Sequence, residues 1–141
     1  MIHCRNAWED TFRLLSMVYR QTTLRGVFHS WTGNWEAARR TIDLGFYISF
    51  SGIVTFSNAP DIQDVAKRMP IDKMLLETDS PYLTPEPMRS GGPPSRKFRR
   101  MRQNEPKNVK IVASFIASLR NVSLDELSGV TSRNAEGLFG I

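Results

Sequence analysis

Apolar residues recur along this chain with two periods, one helical and one extended. Trp8, Phe12, Leu15 and Tyr19 follow each other at intervals of four, three and four, which predicts an amphipathic helix over about 7–20 with Asn6 as its N-cap. Trp35, Ala38 and Ile42 form a second helical stripe, closed by Gly45 just past its end. Pro60 opens a third, with Ile62, Val65 and Ala66 on its apolar side. Between these stripes lie short apolar runs too brief for helices: Gly26-Val27-Phe28-His29, Phe46-Tyr47-Ile48-Ser49-Phe50 and Met74-Leu75-Leu76-Glu77-Thr78. Met1-Ile2-His3 reads as a strand stub. A loop rich in Pro, Gly and Arg runs from Ser80 to Gln103. Asn104 and Pro106 then start a helix carrying Val109, Val112, Ala113, Ile116 and Leu119 inward. Ser123 with Glu126 predicts a capping box for a short helix, and a last helix is expected at about 132–139.

Strands separated by single helices make right-handed parallel crossovers, so the pattern is α/β. Each unit takes about 25–30 residues, the repeat of a (β/α) barrel. Four strands are half of the eight that a closed barrel needs, and 141 residues are about half its usual length. The expectation is one partial barrel domain over 1–141, with a basic loop at 87–104 inserted before the final helices. Its two outer strands should then be open edges. Val27, Tyr47 and Leu75 should be exposed on an open interior face, which favours self-association or docking with a separate N-terminal half-barrel.

Composition narrows the class. Hydrophobic residues are 40% and charged residues 23%, which suits a folded domain and excludes disorder and coiled coil. The most apolar stretch, Leu44 to Phe56, is interrupted by Gly45, Ser49, Ser51 and Gly52, so no membrane span is expected. His3, Arg5, Glu9 and Asp10 argue against a signal peptide. Cys4 is the sole cysteine, which suits a reducing compartment, so a cytoplasmic or nuclear location is expected. The net charge of +5 is concentrated. Residues 89–110 hold eight Lys or Arg against one acid, while the rest of the chain sums to −2. A local cationic arm attracts phosphate, although a solvated basic loop is the blander alternative.

Candidate chemistry gathers at one address. His3, His29 and Asp79 each fall at the C-terminal end of a predicted strand, where parallel α/β folds carry their active sites. Either histidine alone could merely cap a strand. Both histidines of the chain at equivalent addresses, with an aspartate at a third, point to zinc or another divalent metal. Glu77 and Asp79 lie two apart and so point to the same face. Two such carboxylates repel unless a cation, a proton or hydrogen bonds stabilise them. Asp79, nearer the rim, is the better ligand and base; Glu77 is read as supporting it from behind. Ser49 and Ser51 would face inward and leave room for substrate, or simply fill a tapering interior.

Five segments carry a family resemblance: Ile2-His3-Cys4-Arg5-Asn6-Ala7-Trp8, Gly26-Val27-Phe28-His29-Ser30-Trp31-Thr32-Gly33, Gly45-Phe46-Tyr47-Ile48-Ser49-Phe50-Ser51-Gly52, Leu75-Leu76-Glu77-Thr78-Asp79-Ser80-Pro81-Tyr82 and Arg102-Gln103-Asn104-Glu105-Pro106. In this order, with Ser132-Arg133-Asn134-Ala135 near the end, the chain resembles the TatD family of metal-dependent deoxyribonucleases. The resemblance implies the C-terminal half of a TIM barrel of the amidohydrolase type with a one- or two-metal site. It implies hydrolysis of DNA phosphodiester bonds, usually as an exonuclease or a repair and degradation nuclease. His3, His29 and Asp79 match metal ligands, with zinc, magnesium or manganese as the ion, and Asp79 also orients or deprotonates the attacking water. Arg5 and Arg89 stand where phosphate contacts are expected, and Arg99, Arg100 and Arg102 of the arm should engage a DNA backbone. The family's opening His-x-His pair and its metal-holding glutamate are absent here, and the loop between Pro87 and Asn104 is longer and more basic. Two other functions compete: a non-catalytic nucleic-acid-binding fragment that uses the arm, and a metal-dependent amidohydrolase with a non-nucleic substrate.

Overall fold

A computed structural model of the chain describes residues 1–19, 24–90 and 103–141. The elements run α1 (Trp8–Tyr19), β1 (Val27–Phe28), α2 (Trp35–Asp43), β2 (Tyr47–Phe50), α3 (Pro60–Arg68), β3 (Met74–Leu76), α4 (Val109–Arg120) and α5 (Leu124–Phe139). The strands form one parallel sheet in the order β1-β2-β3, with Val27 opposite Tyr47 and Ser49 opposite Leu75. The expected N-terminal strand contracts to a single parallel bridge between Ile2 and Phe28. Its backbone bonds are nonetheless in place, from Ile2 N to Val27 O and from His29 N to Ile2 O. The result is a partial barrel: a parallel sheet, covered by helices, in the order the hydrophobic periods predict. No helix among the described residues is long and apolar enough to cross a membrane.

The core lies between the sheet and its helices. Phe28, Phe46, Ile48, Phe50 and Met74 are buried there with Val65, Ile116 and Leu127. A cluster of aromatic rings joins α1 to the sheet: Trp8 lies 4.6 Å from Trp31 and 6.2 Å from Phe28, centroid to centroid. Trp31 is pinned by its own backbone N, which donates to Ser49 O, and by its indole N–H, which donates to Gly33 O. Through this cluster the two histidine-bearing strands are held against one helix, which fixes the spacing of their C-terminal ends.

Several expectations are corrected. Asn6 does not cap α1: it sits at φ 56°, and it is Ala7 O that accepts from Thr11 N. The last two helices are one continuous element, α5. Ser123 caps its start by accepting from Glu126 N, as expected. Ser128 and Thr131, between the two expected helices, bond back to Leu124 O and Leu127 O, so their hydroxyls are satisfied within one helix. Asn134 explains why α5 stays on the sheet: its amide donates to Ile71 O and Met74 O at the start of β3. Val27 and Leu75 are buried, not exposed. Tyr47, in register opposite Val27, is half-buried rather than exposed. Ser51 opens no substrate space either, because its hydroxyl is bonded to Ser30 Oγ at 3.0 Å in a buried pair.

One contact ties the chain after β2 to the chain after β3. The short turn Gly52–Thr55 packs so closely on the later segment that a Cβ on Gly52 would lie 1.8 Å from Leu83 O. Thr55 Oγ1 donates to Gly52 O and accepts from Glu86 N, closing the same junction. Gly52→Ala is therefore expected to destabilise the chain by about 3 kcal/mol, since backbone rather than a flexible side chain must move. A urea midpoint unchanged from the parent would show that the junction yields freely.

Candidate metal centre

Three strands deliver the site. His3 follows the Ile2 bridge, His29 follows β1, and Glu77 and Asp79 follow β3, whose last pairing is made by Glu77 N to Phe50 O. The chain turns sharply at these ends. Ser30 and Asp79 adopt left-handed backbone at φ 48° and 57°, a conformation that aspartate tolerates better than branched residues do. That turn sends Asp79 to the rim while Tyr82 N closes on Asp79 O at 2.9 Å.

His29 is the hub. Its Nδ1 is 3.3 Å from Glu77 Oε1, and its Nε2 is 2.9 Å from His3 Nδ1. With Glu77 accepting the Nδ1 proton, the bonding pattern assigns the tautomer in which Nε2 carries the lone pair. One donor atom each from His29, Glu77 and Asp79 lies within 4.8 Å of the others. These three residues are part-buried, so their donor atoms face an opening rather than the core. His3 is exposed and joins through His29 alone.

The expected set of His3, His29 and Asp79 is thus placed around one mouth, but the mutual convergence belongs to His29, Glu77 and Asp79. Glu77, read from sequence as standing behind Asp79, contributes its carboxylate directly to the cluster and also orients His29. Strand alternation put Glu77 and Asp79 on one side correctly; the close approach of His29 across two strands depends on sheet curvature. The donor set fits a divalent cation. Two carboxylates and one imidazole nitrogen converge, and the repulsion between the carboxylates is relieved by a positive charge placed among them.

Asn104 is the functional residue that sequence reading missed. Read as a helix start, it is instead buried beneath the Asp79 turn. Its Nδ2 donates to Thr78 O at 2.7 Å, Tyr82 O at 2.7 Å and Leu83 O at 3.3 Å, and its backbone N donates to Pro81 O. Asn108 Nδ2 donates to its Oδ1, which fixes the amide's orientation. The sequence marked it in two ways, as an Asn between an irregular loop and a proline, which helix caps also show, and as a member of the Arg102–Pro106 segment that carries the family resemblance.

Arg5 and Arg89 line one groove of about 440 Å³, formed by the loops after the strands. Arg99, Arg100 and Arg102 lie outside the described residues. Beside the groove, hydrogen bonds from the Ser90 hydroxyl and amide hold the Glu86 carboxyl below the usual carboxylate range, and Arg89 adds to the effect.

Comparison with known proteins agrees with the fold. The model of the TatD related DNase family matches residues 1–140. YcfH of Escherichia coli K12, an uncharacterized metal-dependent hydrolase, is 43% identical over all of this chain and 49% of its own length. Deoxyribonuclease Tat-D of Schizosaccharomyces pombe is 35% identical over 98% of this chain and 48% of its own length. The crystal structure of YjjV, a TatD homolog from Escherichia coli K12, superposes with a TM-score of 0.81 at 25% identity, covering 99% of this chain and 49% of that one. The chain therefore spans about half the length of the relatives it matches. With a family match that runs essentially from end to end, and with its polar residues gathered at the strand ends, this chain belongs to the TatD related DNase family.

Proposed function

We propose that this chain carries a metal-dependent phosphodiester hydrolase site that acts on DNA. The observation that supports it most is the convergence of His29, Glu77 and Asp79 donor atoms within 4.8 Å at the mouth of a parallel sheet. The relatives' names, metal-dependent hydrolase and deoxyribonuclease, point the same way. So does the run of eight Lys or Arg in residues 89–110.

His29, Glu77 and Asp79 would hold the cation, with His3 completing the set through His29. A bound divalent ion supplies Lewis acidity and lowers the pKa of a coordinated water toward neutrality. The rest is done by the chain. Glu77 takes the Nδ1–H of His29 and keeps the ring facing the mouth. The Asp79 carboxylate, at the rim, accepts the proton of the attacking water. The water oxygen forms a bond to phosphorus, the P–O ester bond breaks, and the leaving alkoxide takes a proton from solvent. The sharp turn at Asp79 holds that carboxylate ready before substrate arrives, which is the geometric part of the rate enhancement.

The test is to strip the chain with chelator, reload it with zinc, manganese or magnesium, and offer a labelled oligonucleotide beside acyl-amide substrates. Metal-restored cleavage of the oligonucleotide alone is the expected result. Restored cleavage of amides alone would assign the site to a non-nucleic substrate. Oligonucleotide binding with no turnover under any metal would leave a binding fragment.

A further inference from the structure

We propose that Ser51 is a positioning residue of the metal centre. Through a buried hydroxyl pair with Ser30 it holds the turn that ends β1, and that turn sets the direction of the His29 ring. This rests on His29 as a metal ligand, and it extends that reading to a residue outside the cluster of donor atoms.

The ladder between β1 and β2 is broken at Ser30. The strands run parallel, with Val27 opposite Tyr47 and Phe28 opposite Ile48. Tyr47 N donates to Gly26 O, so an unbroken ladder would bring Ser30 N to Ser49 O two rungs on. Trp31 N makes that bond instead, at 3.0 Å. One extra residue has been taken up between them, and a bulge of this kind re-aims the side chains beside it. The same register sets His29 beside Ser49 on one face of the sheet. Ser51 stays extended at φ −101°, two positions further, and so shares that face. Ser30 on a continuing strand would point to the opposite face. It turns left-handed at φ 48° instead, and its Oγ comes to 3.0 Å from Ser51 Oγ.

A left-handed serine is strained, and such strain persists only where the surroundings hold it. Ser30 and Ser51 are 5% and 2% exposed, so water does not compete for the bond between them. Removing either hydroxyl leaves the other buried without that partner. The consequence falls on the residue next door. The backbone of His29 is fixed on one side by its N–H, which donates to Ile2 O, and on the other by the Ser30 turn. Its ring nitrogens lie farther from that pivot than its Cα does, so a small swing of the turn displaces them by more. Such a swing takes Nδ1 away from Glu77 Oε1, which it meets at 3.3 Å.

The experiment measures zinc affinity by calorimetry, and global stability by urea unfolding in EDTA, on the full chain. Ser51→Ala should weaken zinc binding about tenfold. Ser30→Gly accepts the left-handed backbone without strain but lacks the hydroxyl. It should weaken binding by a similar factor, and adding Ser51→Ala to it should cost nothing further. Asn134→Ala is the control. It removes the ties from α5 to Ile71 O and Met74 O, so it should lower the urea midpoint and leave zinc affinity unchanged. A second readout needs no metal. Nitrogen NMR in EDTA should show His29, assigned by the loss of its signals in His29→Ala, as the Nδ1–H tautomer in the parent. In Ser51→Ala it should be a mixture of tautomers. A Ser51→Ala variant that loses stability but keeps the parental zinc affinity and tautomer would reduce the pair to a structural bond and overturn the proposal. An undiminished effect of Ser51→Ala in the Ser30→Gly background would overturn it too. Should Ser51→Ala fail to fold, Ser30→Gly carries the same comparison. If the parent binds no zinc, the metal reading falls, and the tautomer alone decides the positioning role.

Discussion

Replacing His29 by alanine should cost the chain more than about 100-fold in divalent-metal affinity, measured by calorimetry with zinc and manganese. His29 is the residue through which the cluster communicates: His3 reaches it at 2.9 Å and Glu77 at 3.3 Å. Its removal takes away one donor, leaves His3 without its neighbour and leaves two carboxylates facing each other. Glu77→Gln should be milder, about tenfold to 100-fold, because an amide oxygen can still accept the Nδ1 proton while the negative charge is gone. The side chain of His29 is 19% exposed and lies at the sheet mouth, so the fold should survive the change. An affinity for zinc that did not move in His29→Ala would separate these residues from metal binding altogether. Equal losses in His29→Ala and His3→Ala would place His3 on the same footing as the other three, contrary to its exposed, single-contact position.

Asn104→Ala is expected to lower stability by about 3–4 kcal/mol and to loosen the Asp79 turn. Two N–H groups of one amide are shared among the carbonyls of Thr78, Tyr82 and Leu83, and the amide is buried. Truncation leaves those carbonyls, and Asn108 Nδ2, without partners. A buried polar group left unpaired costs about 1–3 kcal/mol, and the three acceptors here are partly shared. Asn104→Asp is the sharper probe. It keeps the shape but replaces the donor with an oxygen that faces carbonyl oxygens, so it should be at least as damaging as alanine. Metal affinity should fall in both variants, because Asp79 lies within the span that Asn104 ties down. An Asn104→Asp variant within 0.5 kcal/mol of the parent by urea unfolding would show that packing, not hydrogen bonding, holds the turn.

Much of the architecture could be read from local pattern. The stripes at Trp8–Tyr19, Trp35–Ile42 and Pro60–Ala66 each became a helix, because one apolar face at helical spacing has a single way to be buried. The three apolar runs between them became parallel strands for the same reason. Errors fell where local signals compete. The C-terminal helix was expected as two pieces, yet it runs on through Ser128 and Thr131, whose hydroxyls bond to backbone oxygens one turn earlier. Asn6 has cap chemistry, but the backbone there turns left-handed to enter α1 from the histidine strand.

The site divides along the same line. His3, His29 and Asp79 were legible because short apolar runs mark where strands end, and parallel α/β folds carry their sites at those ends. Strand alternation alone placed Glu77 and Asp79 on one side, since that depends only on the two-residue period. The rest needed three dimensions. Sheet curvature brings His29 against Glu77 across 48 residues of chain. The Asn104 amide reaches carbonyls 21 to 26 residues earlier, and Phe56 lies beneath a guanidinium 33 positions later. Local order follows from periods and propensities that each segment carries within itself. Which donors meet, and which are held still, depends on contacts between segments, and those exist only once the sheet has closed its core.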